Sequence, residues 1–329
     1  MTAMMISVSL FFPFVYAEEG FEDGGIPAEI EAEEDSIITG EEEISSLEIE
    51  ESETEEPYII GEDETLRDEN TKQFRLSDGT LSVAAYETDV HFKDNGFWKD
   101  IDNTLEEKED AYVTREGRTK FQFTKNPENG LLFHVSRDGM QLSFSLENTA
   151  EQAEAPELVF PELTNSPMDV SKAISSIKYN NILPDTDILY IAKGSSLKGD
   201  IIVYKKQTEY RFIFRITSEN AELIQEDDII YIRDSKGNDI YTIPQMWMTD
   251  AAGNTSDKVS AVLQENVLTI EADSAWINKE GRVFPITIDP SLNASGGTGL
   301  QIRNYYAASN DAYNSHAGYE RGRLGYSVD

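Results

Sequence analysis

The sequence predicts an all-β chain: two antiparallel, sandwich-like lobes behind a leader and an acidic stretch. Three observations carry this. From about Lys72 onward, short apolar runs alternate with turn signals about every 8–12 residues, the rhythm of an all-β region. Asp78-Gly79, Asn95-Gly96 and Asp138-Gly139 each stand between alternating runs, and such pairs suit the positive φ of tight hairpin turns. No segment has a convincing helical period; residues 103–114, NTLEEKEDAYVT, come nearest and are poor.

The elements follow in order. Residues 4–16, MMISVSLFFPFVY, carry no charge and are too short to cross a bilayer core of about 30 Å. Val15-Tyr16-Ala17 before Glu18-Glu19 fits cleavage by signal peptidase between Ala17 and Glu18. Residues 1–17 are therefore expected to be an export signal, although it has no Lys or Arg ahead of its apolar run. No membrane span is expected once it is removed. Of the net charge of −36, −22 falls within residues 18–69, which hold 23 acidic side chains and one basic one, Arg67. Like charges at that density repel, and few aromatics are present to offset the cost of ordering. Residues 18–69 are expected to be a disordered acidic spacer, dispensable for folding.

Residues 70–146 form the expected first lobe. The second spans 173–290, with strands expected at DILYIA (187–192), GDIIVYK (199–205), EYRFIFRI (209–216) and DDIIYIRD (227–234). After a turn at Gln207-Thr208, Phe212 and Phe214 share one strand face, with Arg211, Ile213 and Arg215 on the other. Two further hairpin signals lie at Lys236-Gly237-Asn238 and at Gly281. Residues 147–172 lack the rhythm and are expected to connect the lobes. Residues 291–299, SLNASGGTG, are a linker. Residues 300–329, rich in Tyr and Asn, end within what reads as the next strand pair, so the chain is expected to be a fragment of a longer protein.

Four ordered blocks carry a resemblance. They are DVHFKDNGFWKDIDNTL (89–105), KYNNILPDTDILYIAKGSSLKGDIIVYK (178–205), IYTIPQMWMTDAAGNTSDKV (240–259) and WINKEGRVFPITIDPSL (276–292). Their order and spacing resemble the N-terminal region of secreted RHS-repeat and wall-associated proteins of Gram-positive bacteria, many of which contain DNRLRE modules. The resemblance covers about residues 66–292. It implies a secreted, cell-wall-associated protein whose partners are wall polymers or glycans and the downstream modules of the same polypeptide. It also implies that 300–329 begin a truncated DNRLRE-like β module.

Chemistry is sparse in the sequence. There is no cysteine, which excludes disulfides, thiolate metal sites and cysteine nucleophiles. Of three histidines, His91 and His134 sit in expected strands and His316 in the tail, none at metal-ligand spacing. No nucleophile elbow or phosphate loop is present. No nucleophile–base constellation is present, so no enzyme is expected, and no Lys/Arg cluster suits a phosphate backbone, so no nucleic-acid partner is expected. Asp185 and Asp187, and the loop of Asp250, Asn254 and Asp257, are candidate weak calcium ligands. The plainer reading is Asx-turn chemistry. No other cofactor is expected. Trp98, Trp247 and Trp276 are candidates for stacking on glycan rings, against the plainer reading of core packing. The function expected is a non-enzymatic export and surface-presentation region. A carbohydrate-binding module is the alternative, and a glycoside hydrolase ranks last.

Overall fold

The computed structural model describes residues 56–150, 155–159 and 166–295. The signal with its Ala17–Glu18 junction, the acidic residues up to 55, and the 300–329 tail with His316 lie outside the described residues. Within them the chain is all-β and antiparallel throughout, with a single short α-helix, Ser274–Ile277, and three one-turn 3-10 helices. Asp273 caps that helix: its carboxylate accepts the N–H groups of Ala275 (2.7 Å) and Trp276 (3.3 Å).

Alternation builds the sheets. In Leu131–Arg137, Phe133, Val135 and Arg137 face inward, and in Met140–Leu146 so do Met140, Leu142, Phe144 and Leu146. These two strands stand in an eight-stranded sheet. Its order is Val259–Gln264, Val267–Ala272, Arg211–Glu219, Met140–Leu146, Leu131–Arg137, Thr119–Thr124, Ala111–Glu116 and Asp102–Glu107. A seven-stranded sheet runs Glu157–Val159, Ile174–Leu183, Thr186–Lys193, Ser196–Val203, Ile286–Ile288, Met248–Asp250 and Thr255–Ser256. The two pack face to face over one apolar core. Phe123 and Phe133 of the first meet Tyr190 of the second at ring distances of 6.1 and 4.8 Å. A four-stranded sheet (Ala221–Glu226, Ile229–Asp234, Asp239–Ile243, Asn293–Ala294) adds Ile230, Ile232, Tyr241 and Ile243 to that core.

The register between Phe144↔Phe133 and Ser145↔Leu131 leaves Leu132 as an extra residue, a β-bulge. The Tyr179 hydroxyl, from the opposing sheet, lies 2.7 Å from the Leu132 carbonyl oxygen and 3.0 Å from that of Thr124. The bulge is thus bonded across the sandwich.

Several boundaries differ from those expected. Gln141–Leu146 pair with Phe214–Glu219, so strands from both expected lobes share one sheet. Residues 157–159, within the expected connection, pair with 176–178 as an edge strand. Ile59–Glu62, within the expected spacer, pairs with the Phe74–Leu76 end of its neighbour and belongs to a three-stranded sheet with Thr71–Leu76 and Leu81–Ala85. An ion network holds it there: Arg67 donates to Glu62 (2.6 Å), and Lys72 pairs with Glu62 (3.5 Å) and with Asp100 (2.8 Å). Gln207-Thr208 is not a hairpin turn. The segment carries the chain from the seven-stranded sheet to the eight-stranded one. Gly281 does not join two strands either, because Trp276 and Ile277 before it are helical.

Candidate functional site

One surface gathers two concave sites that meet at Ser196 and Asn293. The first is a groove of about 380 Å³ whose lining includes Trp247, Pro244, Gln245, Lys198, Asp289 and Asn293. Its making is local. Residues 244–247 link the four-stranded sheet to Met248–Asp250 in an extended path. Met246 and Met248 are buried, so the intervening Trp247 is turned outward and stays half exposed at 50%. Its carbonyl accepts the N–H of Asp289 (3.1 Å), which fixes the segment against the neighbouring loop. The Ser291 hydroxyl is bonded to the Asp289 carboxylate, and Lys198 reaches Asp200 at 2.7 Å. Burial pushes the Asp200 carboxyl above its ordinary range, against the pull of Lys198. An exposed indole face beside amide, hydroxyl and charged groups can stack on an apolar ring face while bonding its hydroxyls.

The second is a polar cleft of about 620 Å³. Arg137 lines it from the end of a core-facing row, with His91, Asp89, Ser195 and Arg118. Asp89 closes one wall by accepting the Ser195 N–H (2.8 Å) and hydroxyl, while the Thr88 hydroxyl donates to the Lys193 carbonyl (2.9 Å). His91 Nδ1 lies 2.7 Å from the Asp68 carbonyl oxygen, and its Nε2 faces Asp100 at 3.4 Å.

The residues singled out from the sequence are dispersed. Asp185, at positive φ in a turn, pairs with Lys205 (2.7 Å). Asp187 is buried and holds Lys178 (2.6 Å), the Tyr204 hydroxyl (2.8 Å) and the Asn181 N–H (2.7 Å). Burial would raise its carboxyl, but these donors outweigh it and keep it low. Asp250 accepts the backbone N–H groups of Ala252 (3.0 Å) and Asn254 (2.9 Å), the Asn254 side chain, and Arg282 (2.8 Å). Burial works to raise this carboxyl too, and the Arg282 and Asn254 donors hold it well below the usual range. Asp257 contributes its carbonyl to the Val259 N–H (2.8 Å). No grouping of three His, Asp or Glu side chains suited to a metal occurs among the described residues. Asp250 and Asn254 make an Asx-type loop whose oxygens are occupied by donors.

The tryptophans have three different settings. Trp98 is half-buried on the hairpin His91–Asp94/Phe97–Asp100, with Lys93 4.5 Å over its ring. Trp276 packs against the core and is covered by the Arg282 guanidinium 3.5 Å from its centre. Trp247 is the most exposed of the three and does not follow the core-packing reading, and Trp98 packs on its hairpin rather than on the core. Sequence reasoning missed Arg137. The signal was there: it occupies an inward position in LLFHVSR, where a strand of this kind otherwise places apolar residues.

No protein-family model matches the chain, and no solved structure matches it. Curated proteins do. The chain is 27% identical over 264 residues to the tRNA3(Ser)-specific nuclease WapA of Bacillus spizizenii. It is equally similar, 27% over 264 residues, to the tRNA(Glu)-specific nuclease WapA of Bacillus subtilis subsp. natto. Each alignment covers 76% of this chain but 11% of the relative, so the chain spans about a tenth of these proteins' length. It is also 23% identical over 194 residues to the wall-associated protein of Geobacillus stearothermophilus, covering 56% of this chain and 73% of that one.

These relatives overturn two expectations. A chain that is no enzyme and has no nucleic-acid partner was expected from its acidic charge and missing motifs. Relatives named as nucleases of tRNA point instead to enzymatic action on nucleic acid among related proteins. The charge balance of a segment spanning 11% of such a protein does not constrain the chemistry of the rest. Among the described residues no helix is long and apolar enough to cross a membrane. By this kinship the chain is a distant homologue of wall-associated proteins, secreted and associated with the cell wall.

Proposed function

We propose that this chain is the wall-facing β framework of a larger wall-associated protein, and that its Trp247 groove holds a saccharide of the wall. The half-exposed indole carries the reading. Burying it would be favourable, yet the buried methionines on either side fix it outward in a groove that also presents Lys198, Gln245, Asp289 and Asn293. The rigid sandwich beneath supplies the fixed geometry that a stacking site needs. Titrating the purified chain with wall-derived oligosaccharides while following tryptophan emission tests this. Saturable change, lost in Trp247→Ala and kept in Trp276→Phe, is expected. An unresponsive spectrum with every saccharide tried would refute the groove.

A second reading, nuclease action on tRNA, comes from the relatives named as tRNA nucleases. Incubating the chain with total tRNA tests whether that activity extends to this segment. Defined cleavage products would support it, and intact tRNA would refute it for this segment.

A further inference from the structure

We propose that the cleft beside Arg137 binds a carboxylate group, one negative charge matched to one buried guanidinium. Arg137 is only 8% exposed, and its Nε and Nη1 are buried without a hydrogen-bond partner. Among the described residues one carboxylate comes within 4 Å, Asp138, at 3.8 Å from Nε and beyond hydrogen-bond reach. That carboxylate is turned to Arg118, which binds it at 2.8 Å. Beneath the guanidinium lies the Tyr241 ring at 5.7 Å, itself fixed by a 2.8 Å hydroxyl contact with Thr119. A buried, unpaired charged donor is costly unless an acceptor reaches it. Arg137 lines the cleft, so a ligand seated there brings the acceptor to it.

Charge selects the class of ligand. Glu69, Glu87, Asp89 and Asp138 also line the cleft. Arg118 neutralises Asp138, and Lys193 neutralises Glu87 at 2.6 Å. Lys93 in the same lining offsets one of the two remaining carboxylates, Asp89 and Glu69, and the repulsion left is twice as great for a doubly charged phosphate as for a single carboxylate. The volume of about 620 Å³ suits a monosaccharide or a dipeptide. In a wall-associated chain two sources offer a carboxylate: an acidic sugar or the C-terminus of a short peptide. The inference stands without the Trp247 reading, because Trp247 does not line this cleft.

Calorimetric titration of the full chain decides it. The probes are N-acetylmuramic acid, N-acetyl-D-alanyl-D-alanine, its C-terminal amide, and inorganic phosphate. One or both carboxylates should bind, and the one that binds names the source. The amide should bind about tenfold to a hundredfold more weakly, the loss expected for a charge-assisted hydrogen bond. Arg137→Gln should weaken carboxylate binding by the same factor, and Trp247→Ala should leave it unchanged. Should Arg137→Gln not fold, the acid-against-amide comparison on the unaltered chain still decides. Absence of carboxylate binding, equal binding of acid and amide, or tighter binding of phosphate would overturn the proposal.

Discussion

Tyr179→Phe probes the bond between the two large sheets with the smallest change the fold allows. The ring stays, and with it the edge contact to Tyr190 at 6.3 Å. What is lost is one hydroxyl, which serves the Leu132 carbonyl at 2.7 Å and the Thr124 carbonyl at 3.0 Å. Leu132 is the bulge residue, skipped by the ladder to Met140–Leu146, and it is fully buried. Its carbonyl gains no water when the hydroxyl goes. Leaving a buried acceptor unmet costs about 1–3 kcal/mol. For a domain of this size that corresponds to a midpoint lower by roughly 2–4 °C per kcal/mol. Scanning calorimetry and urea unfolding should both report it, in one cooperative transition, since the sheets share a core. A variant with an unchanged midpoint would refute the cross-sheet bond. Two separate transitions, one of them unshifted, would refute the shared core.

Further outcomes follow from the same geometry. Phe133→Ala, at the centre of the aromatic layer, should cost about 3–5 kcal/mol in urea unfolding. Gly194→Ala places a Cβ against Asp89 and Thr88 at a positive φ of 57°, and should destabilise by more than about 1 kcal/mol; a neutral result would contradict the close approach of Asp89 and Thr88 to Gly194. Glu62, Asp187 and Asp250 are held below their ordinary range by Arg67, Lys178 and Arg282 respectively, against burial. Asp100 is held low first by the His91 ring, then by Lys72 and Arg67. Their folded-state values lie below the unfolded ones, so this stability is complete above the unfolded range of 3.8–4.5 and is lost progressively as pH falls from there through the lower folded-state values. A midpoint flat from pH 6 to pH 3 would contradict this. Truncation up to residue 69 should lower the midpoint by several degrees, because it removes a paired strand and takes Glu62 and Arg67 from the cluster around Lys72. Removal up to residue 55 gives the comparison.

How legible each part was depends on the turns. Asn95-Gly96 and Asp138-Gly139 are hairpins with φ of 51° and 86°, and 51° and 84°, the conformation those pairs favour. The hairpins at Asp185, Asp227 and Glu265 use positive φ at residues without the glycine signature, at 49°, 52° and 55°. Asp at such positions is also common in ordinary loops, so nothing local marked them. Residues 103–114 offered a weak helical pattern because two half-exposed strands carry charge on their outer faces. The join between the expected lobes could not be read at all. It depends on pairing Leu146 with Phe214 across an irregular connection, and strand pattern specifies which face is buried, not which distant partner is chosen. Trp247 and Arg137 were both legible in principle. Alternation puts the one outside and the other inside, and each breaks the rule for its residue type.

The Trp247 groove is tested most directly by sedimenting the chain with isolated cell walls, alongside the thermal midpoint of each variant. Trp247→Ala should unfold within about 0.5 kcal/mol of the unaltered chain, as exposed positions do, while its fraction bound to the wall pellet drops sharply. Trp276→Ala should lower the midpoint, since its ring packs against the core beneath Arg282, yet bind walls normally at temperatures where it remains folded. Undiminished sedimentation of a folded Trp247→Ala chain would contradict the groove as the wall-binding site.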